Sequence, residues 1–299
     1  MRWLGFWILL WLMMSMPLQA QTLLDEPERI DADSLDSTGV WDMRWTASLR
    51  GAQAAYSNWS RGGVSTMSLS SHSLVQLLYE RHSFNYEFRV RSRYGQARIQ
   101  GEGVRKTDDE IAIRNRFLWD IGSGENEFRY FGNLNLETQY TKSYDYGAGE
   151  NGTDLLISDF FSPGYLTQNA GVAWFPTNRP FSIEGGLGLK QTVVADTTLS
   201  TRYGLDPGNR IKIEAGVTLG FRYEQEVMQD IVYKGELETF TNLYRAIRRT
   251  DLFLIQELVG KVNEHVDVGF RFELIYDDDF SNRVQLSQAL SAGITVRLQ

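Results

Sequence analysis

The sequence predicts an all-β chain, a transmembrane antiparallel up-and-down β-barrel of twelve strands with short periplasmic turns and longer extracellular loops. Three observations carry that prediction. Apolar and charged residues alternate with a period of two along run after run, so each run has one greasy and one charged face. Many runs are far longer than the ~5–6 residues typical of soluble strands, and long enough for a tilted membrane span of ~9–11 residues. The connections between runs alternate between short and long, as in outer-membrane barrels.

The chain divides into residues 1–20, 21–40 and 41–299. Arg2 followed by the apolar stretch from Trp3 to Met16, then Pro17 and the small Ala20, reads as an N-terminal signal peptide for export. The apolar stretch is shorter than the ~20 residues of a spanning helix, and Ala20 and Gln21 offer no cysteine for a lipid anchor. Residues 21–40 form an acidic lead-in without sustained period. The remainder is the barrel. It has no cysteine, so an exported chain of this kind is held by hydrogen bonding and packing alone. A net charge of −8 argues against nucleic acid as a partner. An aromatic content of 13%, with 27 Gly against 6 Pro, suits long strands.

Twelve strand-like runs follow: 43–56, 64–79, 83–97, 109–120, 126–141, 164–175, 181–195, 209–226, 231–244, 250–262, 266–277 and 285–298. The second and ninth alternate poorly. Phe84, Tyr86, Phe88 and Val90 against Asn85, Glu87, Arg89 and Arg91 show the pattern plainly. Short turns are expected at Arg81–His82 and over 121–125, 176–180, 227–230 and 263–265. Longer loops are expected over 98–108, 142–163 and 196–208, and 245–249 fits the scheme least well. An even strand count puts both termini on the turn side. The last strand ends Val296, Arg297, Leu298, Gln299, with correct alternation but without the terminal aromatic common in such barrels.

Arg or Lys at mid-bilayer on the lipid face of a barrel costs ~2–4 kcal/mol. With Glu87, Arg89, Arg91 and Arg93 on one run, facing that strand the wrong way costs on the order of 10 kcal/mol. The charged face therefore lines the lumen and the apolar face meets lipid. A soluble barrel or sandwich is the alternative that the alternation alone leaves open; strand length and the aromatics Trp119, Tyr140, Trp174, Phe175, Tyr223 and Tyr276 at run ends favour the membrane. The expected lining comprises the cations Arg89, Arg91, Arg93, Arg114, Arg116, Arg129, Lys212, Arg222 and Arg271. Its anions are Glu87, Glu137, Glu184, Glu214, Glu224 and Glu273. Arg89, Arg91 and Arg93 beside Arg114 and Arg116 form a basic ladder suited to drawing anionic solutes. The competing reading is a paired lattice that fills a narrow barrel, since eight strands leave no open interior and sixteen or more leave a channel.

Several segments resemble an uncharacterised outer-membrane β-barrel family of Bacteroidetes-type bacteria, domain of unknown function 3078. They are Asn58-Trp59 with Gly62-Gly63, Arg105-Lys106-Thr107-Asp108-Asp109, the stretch from Ser158-Asp159 through Pro163 to Tyr165, and Tyr203-Gly204-Leu205 with Asp206-Pro207-Gly208. Ile275-Tyr276-Asp277-Asp278-Asp279 also looks familiar. The resemblance implies a barrel in the outer membrane and no particular activity. All these segments are expected on the loop end. Trp59 reads as an aromatic contact for an incoming ligand or, more simply, as a loop folded onto the rim. Asp108, Asp109, Asp159, Asp206 and Asp277 to Asp279 suggest a divalent-cation site or, more simply, ordinary turn chemistry, and their spacing matches no ordered metal loop. Metal and cofactor are therefore expected to be none.

Catalysis is poorly supplied, and no catalytic residues are assigned. The three histidines are His72, His82 and His265. Ser71 and Ser73 flank His72, but strand neighbours point to opposite faces. The chain is expected to be a non-enzymatic barrel, either a narrow channel or binding barrel for a small polar or anionic solute or a surface-interaction barrel acting through its loops. An outer-membrane lipid-modifying enzyme ranks below both. The expected partners are outer-membrane lipid, the barrel-assembly machinery during insertion and a small polar solute.

Overall fold

The computed structural model describes residues 39–56, 64–122, 127–244, 250–263, 266–277 and 281–298. The signal peptide, nearly all of the acidic lead-in, Asn58, Trp59, Gly62, Gly63, His265, Asp278 and Asp279 lie outside them. The barrel strands are β1 (Val40–Ala54), β2 (Thr66–Arg81), β3 (Phe84–Ile99), β4 (Gly103–Asp120) and β5 (Phe128–Thr138). A short hairpin of β6 (Ser143–Asp145) and β7 (Leu155–Ser158) stands apart from the barrel. The barrel resumes with β8 (Gly164–Trp174), β9 (Phe181–Val193), β10 (Ile211–Met228) and β11 (Ile231–Asn242). It finishes with β12 (Thr250–Lys261), β13 (Val266–Asp277) and β14 (Ser281–Leu298).

Every barrel strand pairs antiparallel with its neighbour in sequence, and β1 pairs with β14 from Trp45–Leu298 to Leu49–Ile294, which closes the sheet among the described residues. Closure satisfies backbone groups that an open edge would leave unpaired. Alternation then fixes the faces. On β1, Trp41, Met43, Trp45 and Leu49 are exposed outward while Ser48 and Arg50 are buried inward. The same parity holds on β10, where Ile211, Ile213, Val217, Leu219 and Phe221 are exposed and Glu214 is buried.

The outward aromatics gather at the turn end. Trp41 packs on Tyr79 with ring centroids 4.8 Å apart, Phe84 on Trp119 at 4.8 Å, and Tyr86 on Phe117 at 4.9 Å. The belt continues through Phe128, Trp174, Phe181 and Phe221, and then through Tyr223 and Tyr233. It runs from β1 round to β11. Glu127 braces the turn after β8, accepting hydrogen bonds from Thr177 N at 2.5 Å and Trp174 Nε1 at 2.8 Å. Those bonds hold its carboxyl below the usual range.

One connection differs from its expectation. Residues 98–108 are not a long loop. β3 and β4 run on to Ile99 and Gly103, joined by a tight turn in which Gly101 and Gly103 take φ of 87° and 83°. Its alternation is inverted relative to the rest of the strand: outward Gln96 and Arg98 are polar and exposed, while Ala97 and Ile99 take the inward positions. Arg105 to Asp109 therefore lie on a strand, not in a loop. A bulge accompanies them, since Gly95 pairs with Asp108 and Gln96 with Lys106, leaving Thr107 extra. The other two expected loops are present. Residues 139–163 carry the β6–β7 hairpin, and 194–210 carry a 3-10 helix, Thr197–Tyr203. These loops pack together around buried Val194, Leu199, Tyr203 and Leu205, with Leu156 against them. Tyr203 Oη donates to Ile157 O at 2.7 Å.

Glycine sets the contact between β8 and β9. A Cβ on Gly171 would run into the carbonyl oxygen of Gly185, and one on Gly186 into that of Ala170. A Cβ on Gly185 would meet nothing nearer than Leu219 Cδ2 at 3.5 Å. Gly171→Ala is therefore expected to destabilise the refolded barrel by about 1–3 kcal/mol, while Gly185→Ala leaves it nearly unchanged; urea midpoints of the two variants compare them directly.

Candidate functional site: the charged interior

The inward positions of twelve strands enclose a space only a few side chains wide, and they are densely ionic. On the β3–β4 wall, Arg91 donates to Glu110 from Nε at 2.9 Å and Nη2 at 2.7 Å, and Arg93 pairs with the other oxygen of Glu110. Arg89 donates to Glu87 from Nε at 3.0 Å and Nη2 at 2.5 Å. Glu110, on β4, is inward and buried.

Other pairs leave the wall and cross the interior. Arg116 of β4 pairs with Glu184 of β9, although β5 and β8 lie between those strands in the sheet. Glu184 also accepts from Arg222 Nη1 at 2.6 Å. Arg222 then reaches Glu236 from Nε at 2.8 Å and Glu238 from Nη2 at 3.0 Å. Lys190 of β9 makes a longer jump, to Asp251 of β12 at 2.8 Å and Asp277 of β13 at 2.9 Å. Arg50 on β1 faces Asp267 on β13 at 3.5 Å, past β14. Arg271 pairs with Glu257 and Glu273.

The interior is not uniformly dry. Side chains of Glu110, Glu184 and Glu257 are each 7% exposed, whereas Glu238 is 52% exposed. Glu137 is exposed as well, although Glu110, Arg91, Arg93 and Arg114 all lie within electrostatic reach of it. Arg114 in turn acts on Glu236 and Glu238 from five strands away round the sheet. Arg114, Glu137 and Glu238 thus line a water-accessible space between dry, cross-linked stretches.

The remaining expected lining residues lie on inward positions too. Lys212 pairs with Glu214 at 3.0 Å, and Glu214 also accepts from Asn242 Nδ2 at 2.8 Å. Glu224 and Lys234 stand 3.9 Å apart near the turn end, where Arg129 pairs with Asp120 at 2.8 Å. The structure does not leave the basic ladder uncompensated: Arg89, Arg91, Arg93 and Arg116 each have a carboxylate. Sequence reasoning missed Arg50, Glu110, Lys190, Glu236, Glu238, Asp251, Glu257 and Asp267. Glu110 and Lys190 share parity with Arg114 and Glu184 and were readable on that ground. Glu236 and Glu238 were hidden because Gly235, Thr239 and Thr241 dilute the apolar face of β11.

The motif carboxylates take separate roles. Asp109 accepts from Tyr140 N at 2.7 Å, Thr141 N at 2.9 Å and Lys106 Nζ at 2.6 Å, which pins the following loop to β4. Asp159 accepts from Phe160 N at 2.8 Å, and Pro163 O accepts from Thr138 Oγ1 at 3.1 Å. Asp206 O accepts from Asn209 N at 3.0 Å in a turn through Pro207 and Gly208, where Gly208 has φ of 82°. Asp277 belongs to the interior with Lys190. Among the described residues no three His, Asp or Glu side chains come together to hold a metal ion. His72 is buried inside the barrel 3.9 Å from Asp108, and His82 sits on a turn with φ of 46°.

Residues 52–144 match the model of a family described as "Protein of unknown function (DUF3078)", which bears out the resemblance read from the motifs. No curated protein matches the chain. Among solved structures the chain is similar to the translocator domain of the autotransporter NalP from Neisseria meningitidis, at 13% identity over 90% of this chain and 91% of that one, with a TM-score of 0.39. It is also similar to the COG4313 outer membrane channel from Pseudomonas putida F1, at 9% identity over 91% and 98%, with a TM-score of 0.37. The β domain of the Bordetella autotransporter BrkA follows at 13% identity over 87% and 99%, with a TM-score of 0.36.

Two outcomes follow. Lys190→Ala removes the ammonium that bridges buried Asp251 and half-buried Asp277, so a loss of about 3–5 kcal/mol is expected in urea unfolding. In the loop, Asp196 accepts from Thr198 Oγ1 at 2.7 Å and Thr198 N at 3.0 Å, which holds its carboxyl below the usual range. A depressed carboxyl stabilises the fold above the ordinary Asp value of about 3.9 and loses that contribution as pH falls through its own lower value. Amide protection factors in 197–203, taken relative to the intrinsic rate at each pH, should therefore fall as pH drops below about 4, and this pH step should vanish in Asp196→Ala.

Proposed function

We propose that this chain is an outer-membrane β-barrel whose narrow, ion-paired interior passes or binds a small polar solute, and that it is not an enzyme. The outer face supports the membrane assignment. Met43, Leu69, Leu187, Ile213, Leu219 and Leu286 are among the large apolar side chains exposed around the wall, and exposed apolar surface spread over so many strands marks an interaction surface such as lipid. The aromatic belt at the turn end matches the interface girdle of such barrels. In this reading residues 1–20 direct export, the turns face the periplasm, the loops face outward, the barrel-assembly machinery inserts the chain and outer-membrane lipid surrounds it.

The observation that carries the functional reading is the set of ion pairs from wall to wall. Lys190 and Arg116 tie strands that are not neighbours, so a wide, freely conducting pore does not fit. The wet space at Arg114, Glu137 and Glu238 suits a small polar species instead. Because the basic ladder is matched by Glu87, Glu110 and Glu184, the geometry gives no special support to an anion over another polar solute. A second reading, a surface-interaction barrel, is favoured by the packed core of the two long loops around Tyr203, which holds their shape against the rim.

A carbonate wash should leave the protein in the outer-membrane pellet, whereas release into the supernatant would sink the membrane assignment. In liposome-swelling assays the wild type should admit only the smallest polar solutes. Replacing Arg116 and Glu184 together by Gln removes one crossing without stranding a charge, and is expected to raise flux several-fold. If neither form passes any solute and neither binds one, the lumen reading fails and the loop reading stands.

A further inference from the structure

The wall of the barrel is not sealed evenly. β1 and β14 pair over five residues on each strand, from Trp45–Leu298 to Leu49–Ile294, whereas every other neighbouring pair of barrel strands runs for ten or more. Arg50 passes Gly293, the partner of Asp267 on β14, to stand 3.5 Å from Asp267. Beyond that contact, toward the loop end, the two strands part. Residues 50–54 stay paired to β2 and residues 285–293 to β13, but among the described residues no ladder joins them to each other. Met67 and Leu69, which pair with Gln53 and Gly51, are exposed on one side of the parting, and Leu286 and Leu290 on the other. The parting therefore lies within the apolar band. A free sheet edge at that depth is tolerated only where it borders a water-filled space.

The sheet register carries a row of inward side chains from the wet space to that edge. Glu238 pairs with Phe253, Phe253 with Ile275 and Ile275 with Gln285, so the four stand in line across β11 to β14 on the inner face. Ile255 lies next to this row, opposite Glu236. Phe253, Ile255 and Ile275 are half-buried and still present surface to the interior. Inward apolar side chains elsewhere, such as Leu74, Phe131 and Val259, are buried. The inner wall thus changes from carboxylate to hydrocarbon within two strands and ends beside the parting. At the polar end Glu238 is exposed, and so is Glu137, whose carboxylate forms no ion pair with a described residue.

That sequence of surfaces selects among solute classes. A fully polar solute gains nothing from Phe253 and Ile275, nor from an opening that faces lipid. A plain hydrocarbon makes no use of Glu137 and Glu238 and would desolvate them. A molecule with an apolar tail and a head that donates hydrogen bonds uses both ends of the row, whereas an anionic head is opposed by the two carboxylates. The interior is only a few side chains wide, which suits one tail and not two. We infer that the barrel admits a single-tailed amphipath from the outer leaflet through the β1–β14 parting, with its tail on Phe253 and Ile275 and its donor head at Glu238 and Glu137. The inference rests on the membrane assignment proposed above and names the class of solute that the interior takes.

Photo-crosslinking in proteoliposomes of the refolded full-length barrel tests this, using a monoacylglycerol with a diazirine in its tail and mapping the labelled residues by mass spectrometry. Labels are expected at outward Leu286 or Leu290, where any lipid reaches, and also at inward Phe253, Ile255 or Ile275. Excess unlabelled monoacylglycerol should suppress the inner labels. A fatty acid with the same tail, at neutral pH, should label the inner positions at least five-fold less. The chain has no cysteine, so the parting can be tied shut cleanly. Continuing the ladder past Leu49–Ile294 sets Gly51 opposite Ala292, and a Cβ on Gly51 meets nothing nearer than Ser68 O at 3.7 Å. Oxidised Gly51→Cys with Ala292→Cys should lose at least five-fold of the inner labelling and regain it on reduction. Outer labels without inner ones overturn the inference and leave the membrane assignment standing, whereas labels on neither face sink both. Inner labelling that persists behind the bridge overturns the lateral route, and equal inner labelling by the fatty acid overturns the head assignment. If the bridge does not form, Phe253→Asn decides: unchanged labelling at Ile275 overturns the inference.

Discussion

Arg222 holds three carboxylates from the strands on its two sides, and much of the interior is arranged around pairings of that kind. Enclosing many ionised side chains within a single ring of strands removes them from bulk water. The desolvation cost is recovered only where each charge meets an opposite one at close range. The sheet brings together residues that sequence neighbours cannot supply: Glu184 joins Arg116 to Arg222, and Lys190 joins β9 to β12 and β13. The strands are therefore tied twice, by the backbone ladder round the wall and by side chains through the middle.

The loop end follows a different logic. There the wall projects beyond its apolar band, and polar side chains such as Gln96 and Arg98 stand outward. Stability comes instead from a small apolar core under the long loops and from Asp109, which spends its oxygens on the backbone of residues 140–141. The family match covers this region of β4 and its rim. Its Arg-Lys-Thr-Asp-Asp run supplies a bulge and a loop clasp within five residues.

Much of this was legible in the sequence, and what was not has identifiable causes. β3 was legible over most of its length, since Phe84 to Arg91 alternate without a break and the inward set followed at once. The turn between β3 and β4 was misread because past Gly95 the pattern inverts, with polar Gln96 and Arg98 outward and Ala97 and Ile99 inward. β11 was blurred by Gly235 on its outer face. Which charges meet across the interior was not readable at all. The partner of Lys190 depends on how far the strands are staggered round the sheet, a property of the closed assembly and not of any one run.

The aromatic belt has a mechanical consequence. It reaches round the turn end from Trp41 on β1 to Tyr233 on β11, while the β3–β4 wall at the other end continues as a polar extension. In the bilayer proposed here, that arrangement fixes height most firmly at the inner leaflet. Where the membrane thickens or thins, the turn end keeps its level and the loop end takes up the difference by sliding its polar extension through the outer headgroups. The rim then rides at a depth set by local lipid thickness, so its exposure to the outside becomes a property of the surrounding membrane as much as of the protein.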